Sequence, residues 1–413
     1  MARTVVRKVF AKHRLITSAA YIAAFLCVCI FPSFDRRTEI EEHGLIAGYA
    51  SPFFTGNWVH RLRSTIQRIE SHSAVPPALD EAFASAGLVP HRMNFTTSGG
   101  LQSSLFYTVA SSRRGDSREA NIVVLAANWT IGSGAMSRIS WNLAIGVTLA
   151  EYFKAVTWLS KDVIFVFVDG SLPFGAGTRA WLQAYFGGLS AVRRGLLRQA
   201  VVLQTPSKPN TLLIEAEGIN GMLPNQDIVN VFMLVAGKRA VPCEHREAWA
   251  SVYHTIRNGG VHSSHAPFLE LHVPAFTVRG QRKKGGDRGG SVEPEQIAQS
   301  LEGLVRSMSN ALQQLHHSFN FYFFTGARSH ISNGLYLYPV FAMQLPLLSF
   351  LWTTPVFRDI RSFLVGLGAI AATVVASGSP IFFLATSTDL ASWLGALAPG
   401  VAGDLRPPAC LHR

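Results

Sequence analysis

An uncharged apolar stretch over residues 15–34 follows a basic N-terminus, and no other feature constrains the chain as strongly. Its length is about that needed to cross a hydrocarbon core of roughly 30 Å. Because Lys and Arg concentrate on the cytoplasmic side of a membrane span, the pattern predicts a cytoplasmic segment over 1–14 and a signal anchor over 15–34. A cleaved signal peptide is the alternative, which the length of the stretch and the lack of an A-x-A site disfavour.

Two further apolar segments, 334–356 and 363–384, are predicted to be transmembrane helices. The connecting loop 357–362 contains two arginines and is predicted to be cytoplasmic. Region 35–317 and the tail 385–413 then lie on the luminal side. The aromatic segment 318–333 is predicted to be interfacial, with a domain-capping helix as the alternative.

Composition excludes several classes of protein. Hydrophobic residues make up 48% of the 413 residues and charged residues 15%, where an ordinary soluble domain has about 25% charged residues. So much apolar surface excludes disorder. The net charge of +12 is concentrated partly at the N-terminus, which indicates membrane topology and not nucleic-acid binding. Four cysteines, two of them in the first apolar stretch, cannot form a disulfide framework.

Region 35–317 is predicted to be an α/β domain. Short apolar runs at 121–127, 162–168 and 199–203 are typical of buried strands, and 141–154 and 179–186 have helical spacing. Strands that alternate with helices predict a mostly parallel sheet covered by helices on both faces. Chemistry in such sheets lies beyond the carboxyl ends of the strands, which places Asn128, Asp169 and Gln204 in a predicted cleft.

The order of these segments resembles the co-catalytic zinc aminopeptidases. More specifically, the chain resembles the Gaa family, the GPI-anchor attachment subunits of GPI transamidase. The stretches that carry this likeness are 161–168, 177–185, 217–230, 276–280, 315–319 and 334–339. The motif over 217–230, with its Leu-Pro-Asn sequence, is the most distinctive of them. Family members usually carry more spans after the first pair, so we expect a short variant or a truncated product.

The aminopeptidase resemblance allows a test for a dinuclear zinc site. Such a site needs carboxylate or imidazole ligands at about 2 Å. The positions that correspond to the ligands hold uncharged residues, namely Asn128, Asn142, Ser171, Leu172 and Gln204. His265 keeps part of a supporting motif, with Ser264 in the place of an aspartate. We therefore expect no metal, no other cofactor and no catalytic residue in this chain.

The Gaa resemblance implies a non-catalytic subunit of the GPI transamidase complex in the endoplasmic reticulum membrane. Its expected partners are the GPI lipid, the membrane and other subunits, including a cysteine-protease-like catalytic subunit. The chain would help to recruit and present the lipid, and possibly the proprotein. The cleft candidates are Asn128, Asn142, Asp169, Gln204 and His265, for which the alternative is a purely structural role at strand ends. The alternative functions are a membrane-bound zinc aminopeptidase and a structural scaffold.

Two N-x-S/T sequons lie in the predicted luminal region. The first, at Asn94, is predicted to be glycosylated. The second, at Asn128, directly follows a predicted strand and is expected to be shielded.

Overall fold

A computed structural model of the chain describes residues 13–34, 36–37, 50–113, 119–129, 140–191, 195–205, 208–219, 222–246, 248–261, 263–282, 291–310, 322–326 and 329–353. The chain divides into two compact units, Met1–Phe31 with Leu335–Arg413, and Pro32–Gly334.

The elements follow one another in this order: α1 (His13–Ile30), β1 (Arg36–Arg37), α2 (Asn57–Glu70), α3 (Val75–Ser85), β2 (His91–Thr96), β3 (Gln102–Ala110), β4 (Glu119–Ala127), α4 (Ser140–Ala155), β5 (Asp162–Asp169), α5 (Ala176–Gly187), β6 (Leu196–Gln204), β7 (Thr211–Glu215), α6 (Gln226–Lys238), β8 (Cys243–His245), α7 (Ala248–Asn258), α8 (Ala266–Glu270), β9 (Ala275–Gln281), α9 (Pro294–Asn310), β10 (Tyr322–Gly326), β11 (Ser329–Ser332) and α10 (Leu337–Thr353).

The first unit contains helices α1 and α10, which pack against each other. They overlap the predicted spans 15–34 and 334–356, and α10 contains Pro346 within the helix. Of the helices that the structure describes, none combines the length and the apolar character needed to cross a membrane.

The second unit is built on an eight-stranded mixed sheet in the order β2-β3-β5-β4-β6-β9-β7-β8. The pairs β5-β4, β4-β6, β6-β9 and β7-β8 are parallel. The pairs β2-β3, β3-β5 and β7-β9 are antiparallel. The predicted mostly parallel sheet is therefore confirmed at its centre, and an antiparallel hairpin extends it at one side.

Helices cover both faces of this sheet, and the central strands are apolar on both sides for that reason. On β4, Val123 and Leu125 belong to the core under α2, α3, α4, α6 and α9. Ile122 and Val124, which point to the opposite face, belong to the core under α5 and α8. The result is a three-layer α/β/α domain.

Helix α4 approaches the sheet closely at Gly146. A methyl group at this position would lie 2.5 Å from the Leu125 side chain and 2.7 Å from the Phe167 ring. Glycine is therefore needed here for packing, and it fixes the height of α4 above β4 and β5.

The sequence located the central elements correctly. The predicted strands 121–127, 162–168 and 199–203 lie within β4, β5 and β6, and the predicted helices 141–154 and 179–186 lie within α4 and α5.

The aromatic segment contains no capping helix where the structure describes it. Its residues 322–326 and 329–332 form β10 and β11, which pair with β1 in a three-stranded antiparallel sheet. The aromatic residues of Tyr322–Gly326 suit a strand, and the described residues do not form the domain-capping helix that was the alternative interpretation; the interfacial position of the segment stays a prediction. The predicted span 363–384, the loop 357–362 and the tail 385–413 lie outside the described residues.

Candidate functional site

Four of the five predicted cleft residues meet at one edge of the sheet. Strands β4 and β5 pair in register up to Ala127 and Asp169, and β4 pairs with β6 up to Leu203, directly before Gln204. Parallel strands bring their carboxyl ends to the same edge. We call the group formed by Asn128, Asn142, Asp169, Gly170 and Gln204 the strand-end cleft.

Asn142 in the first turn of α4 holds two strand ends together. Its Nδ2 donates to the Ala126 carbonyl oxygen at 2.5 Å and to the Leu203 carbonyl oxygen at 2.9 Å. The side chain is fully buried, and its Oδ1 has no hydrogen-bond partner among the residues that the structure describes. Asn142 therefore cross-links β4 and β6 and keeps one buried acceptor.

Asp169 organises the two loops that leave β4 and β5. Its Oδ1 accepts a hydrogen bond from the Ser171 amide at 2.9 Å and from the Ser171 hydroxyl at 2.6 Å. The same oxygen accepts from the Trp129 amide at 3.3 Å. This carboxylate is buried and holds the turn after its own strand beside the first loop residues after β4.

Gly170 lies between the two amide side chains of the cleft. A Cβ atom here would come within 3.0 Å of Gln204 Nε2 and 3.2 Å of Asn128 Oδ1. The Gly170 amide donates to the Ala127 carbonyl oxygen at 2.8 Å. The absence of a side chain at Gly170 thus leaves the space into which both amides project. Asn128 itself is exposed, contrary to the expected shielding, and Thr130 of its sequon lies outside the described residues.

His265 lies apart from these contacts. It is completely buried, with Nδ1 2.8 Å from Thr277 Oγ1 and Nε2 2.9 Å from the Glu217 carbonyl oxygen. The carbonyl can only accept, so Nε2 carries the proton and Nδ1 accepts from the Thr277 hydroxyl. His265 connects β9 to the start of the 217–230 motif and has no ring nitrogen left for a ligand.

The same motif ends in a helix cap. Asn225 Oδ1 accepts from the amides of Asp227 at 2.9 Å and Ile228 at 3.4 Å, which are the free donors of the first turn of α6. Asparagine at this position is a preferred N-cap. The distinctive Leu-Pro-Asn sequence therefore positions α6.

A cluster of charges that was not predicted from the sequence lies beside this motif, with its two carboxylates buried. Glu215 bonds Arg279 Nε at 2.8 Å and Arg246 Nη2 at 2.6 Å, and Glu217 Oε1 bonds Arg246 Nη1 at 2.8 Å. The Ser263 hydroxyl donates to Glu215 Oε2 at 2.8 Å. We call these five residues the ion-pair cluster. The available clue was the pair Glu215 and Glu217 at the end of and just after an apolar strand, but the arginines lie about 30 and 60 residues further along the chain.

The carboxylate of Glu215 stays ionised within this cluster. Burial acts to raise its pKa, but the charges of Arg279 and Arg246 and the hydrogen bonds from Arg279 and Ser263 outweigh burial, and the pKa is lowered. The cluster therefore contains two carboxylates and two guanidinium groups in balance.

Cys243 in β8 is unsuited to nucleophilic catalysis. Burial raises the pKa of its thiol to about 12, so the thiolate is scarce at neutral pH.

The strand-end cleft does not fit a dinuclear zinc centre. The Asn142 amide nitrogen donates to two carbonyl oxygens, and Asp169 Oδ1 already accepts three hydrogen bonds. Amide side chains are not typical zinc ligands. Within the described residues, no group of three or more His, Cys, Asp and Glu side chains is arranged to hold a metal ion.

A family model described as "Gaa1-like, GPI transamidase component" matches residues 102–354, from β3 to the end of α10. The chain belongs to this Gaa1-like family. The strand-end cleft, the ion-pair cluster and the 217–230 motif all lie within the matched region.

Two curated relatives of this Gaa1-like chain support the assignment. The chain is 23% identical over 341 residues to the GPI transamidase component gaa1 of Schizosaccharomyces pombe, which covers 73% of this chain and 57% of that protein. It is 25% identical over 372 residues to the GPI transamidase component GAA1 of Saccharomyces cerevisiae, covering 82% and 57%. The chain thus matches little more than half the length of these relatives.

Solved structures with a similar arrangement include the glutaminyl cyclase of Fimbriiglobus ruber, with a TM-score of 0.43 at 16% identity over 62% of this chain and 98% of that one. The LapA aminopeptidase of Legionella pneumophila has a TM-score of 0.42 at 12% identity, over 68% and 75%.

Proposed function

We propose that this chain acts as a non-catalytic subunit of the GPI transamidase complex in the endoplasmic reticulum membrane. The family match over residues 102–354 is the observation that carries the proposal. By this proposal the second unit faces the lumen, and the segments 15–34, 334–356 and 363–384 anchor the chain in the membrane. The remaining subunits, including a cysteine-protease-like one, supply the catalysis.

The strand-end cleft supports a role in binding and presentation. Its exposed residue Asn128 and its neighbour Gln204 offer amide donors and acceptors, and Asn142 Oδ1 is a buried acceptor that no described residue bonds. Groups of this kind recognise hydroxyl, amine and phosphate groups through hydrogen bonds. We propose that the cleft helps to present the GPI lipid to the catalytic subunit.

Two rival functions make different demands on the same residues. A zinc aminopeptidase would need metal ligands that the described residues of the cleft do not provide. A purely structural scaffold would tolerate changes at Asn128 and Gln204 as long as the domain remains folded.

Association with the complex is the direct test of the proposed function. The tagged full chain is expressed in cells depleted of their own Gaa1-like protein, purified from detergent-solubilised membranes and analysed by mass spectrometry. We expect the other GPI transamidase subunits to co-purify. A full-length, folded chain that is recovered without any of them would contradict the proposal. Elemental analysis of the same sample tests the rival peptidase, which requires stoichiometric zinc.

A further inference from the structure

An open pocket of about 590 Å³ lies at the tip of the β2–β3 hairpin, beside the strand-end cleft. Its lining is Arg92, Asn94, Phe95, Thr96, Gln102, Ser103, Ser104 and Trp129. Trp129 connects the pocket to the cleft, because its backbone amide donates a hydrogen bond to Asp169 Oδ1. The pocket volume falls in the range of about 300–1,000 Å³ that is usual for ligand sites.

The lining contains both ends of an N-glycosylation sequon. Asn94 and Thr96 are exposed on the same face of β2, and they pair with Ser104 and Gln102 across the hairpin. Asparagine in an N-x-S/T sequence on an exposed strand of a luminal domain is an acceptor for an N-linked glycan.

We propose that Asn94 carries an N-linked glycan and that the first sugars of this glycan occupy the hairpin pocket. The inference rests on the luminal placement of the second unit in the proposed function. It assigns a modification site to the chain and names the occupant of the pocket as a carbohydrate belonging to the same molecule.

The chemistry of the lining suits a sugar. Ser103, Ser104 and Gln102 supply hydroxyl and amide groups that donate and accept hydrogen bonds, and Arg92 supplies a guanidinium with several donors. Trp129 and Phe95 add aromatic rings with apolar faces. A pyranose ring has the same combination of hydroxyl groups and apolar C–H faces.

The glycan would also cover an open strand. Among the described residues, β2 pairs with β3 alone and so leaves one edge of the sheet without a partner. Open edges invite pairing with other chains, and a bulky hydrophilic group on the edge strand prevents it.

Occupancy is tested on the full chain expressed in eukaryotic cells and purified from membranes. Glycopeptide mass spectrometry should find a glycan on the Asn94 peptide of the wild type and of Thr96→Ser, which keeps the sequon. Thr96→Ala and Asn94→Gln should lack it. An unmodified Asn94 peptide in the wild type would overturn the inference.

A sequon introduced elsewhere separates this inference from the luminal placement on which it rests. Gly188 at the end of α5 is exposed at a φ of 77°, which asparagine tolerates, and Leu189 and Ser190 follow it. Gly188→Asn therefore adds an acceptor. A glycan at 188 without one at Asn94 refutes this inference alone, whereas glycans at neither site refute the luminal placement as well.

Seating in the pocket is tested by the release of the glycan with peptide N-glycosidase F. Release from the native wild type should be at least about tenfold slower than from the denatured chain, because the linkage opens only when the sugars leave the pocket. In the double variant Gln102→Ala/Ser104→Ala, which keeps the sequon, the release rate from the native protein should be closer to the rate from the denatured chain. Equal release from native and denatured protein would show that the glycan does not occupy the pocket.

Discussion

The strand-end cleft and the ion-pair cluster stabilise neighbouring parts of one sheet by different means. In the cleft, an amide and a carboxylate hold backbone groups of loops and strand ends, as Asn142 does with the Ala126 and Leu203 carbonyls. In the cluster, the buried carboxylates of Glu215 and Glu217 are held by the partly exposed guanidinium groups of Arg246 and Arg279. The difference teaches that the hydrogen-bonded edge leaves the amides of Asn128 and Gln204 beside the open space at Gly170, whereas the charged groups of the cluster bond mainly to one another.

Breaking the ion-pair cluster should cost the most. Arg246→Ala removes the arginine that bridges Glu215 and Glu217 and leaves Glu217 buried without a counter-charge. Loss of one partner of a buried pair costs about 3–5 kcal/mol in the free energy of unfolding. Denaturant unfolding of the purified full chain in detergent would measure it.

Arg279→Ala is the matched control. The Arg279 side chain is 35% exposed, and Glu215 would keep Arg246. We expect a loss of about 1 kcal/mol, as for partly exposed ion pairs. Equal effects of the two substitutions would contradict the central position assigned to Arg246.

Removing the Asn142 hydrogen bonds that connect β4 and β6 should lower the free energy of unfolding by a smaller amount. Asn142→Leu removes the side-chain donor to the Ala126 and Leu203 carbonyls, and each hydrogen bond contributes about 0.5–1.5 kcal/mol net, giving a loss of about 1–3 kcal/mol in the free energy of unfolding. Asn142→Asp keeps the size of the side chain but points an acceptor at both carbonyls, so it should destabilise at least as much. Thermal unfolding of both variants checks this order, and an unaltered Asn142→Asp would refute the assigned hydrogen bonds.

The pH dependence of stability distinguishes the cluster from another buried carboxyl, Glu302 in α9. The lowered pKa of Glu215 means that its contribution is present above the ordinary value of 4.5 and is lost as the pH falls through the folded-state pKa. Burial outweighs Arg306 and Arg239 at Glu302 and raises its pKa, so its contribution is present below 4.5 and is lost as the pH rises through the folded-state pKa.

Two amide variants should therefore alter opposite sides of the stability profile. Glu215→Gln should reduce the pH dependence of the free energy of unfolding below pH 4.5. Glu302→Gln should reduce this dependence above pH 4.5. Unfolding free energies measured across this range are the readout. If both variants changed the free energy of unfolding in the same pH range, the two carboxyls would not differ as described.

The smallest effect on stability is expected at Asn128. The residue is exposed, and substitutions at such positions usually change stability by less than about 0.5 kcal/mol. Asn128→Ala also removes a sequon, so Thr130→Ala, which removes the sequon but keeps Asn128, is the matched control. A large loss of stability in Asn128→Ala alone would show that Asn128 supports the fold.

The sequence was sufficient where local pattern and strand polarity decide the structure. Apolar runs located β4, β5 and β6, and the rule that parallel strands end together brought Asn128, Asp169 and Gln204 to one edge. The ion-pair cluster was not predictable in this way. Strand β7, which carries Glu215, lies antiparallel to β9, and Arg246 and Arg279 come from distant segments of the chain.

His265 shows the limit of reasoning from a motif. Its position in the sequence resembled a supporting residue of a metal site, but the fold turns both ring nitrogens toward Thr277 and the Glu217 carbonyl. The hydrogen-bond partners of a buried histidine depend on tertiary packing that a single sequence does not specify.

GPI attachment by the double variant Asn128→Ala/Gln204→Ala tests the central claim most directly. The full-length variant replaces the endogenous protein in depleted cells, and the amount of a GPI-anchored reporter at the cell surface is compared at equal subunit abundance. If the strand-end cleft presents the lipid, the complex should assemble normally and the reporter should fall well below the Thr130→Ala control. Normal attachment at normal abundance would contradict presentation by the cleft and leave the domain a scaffold.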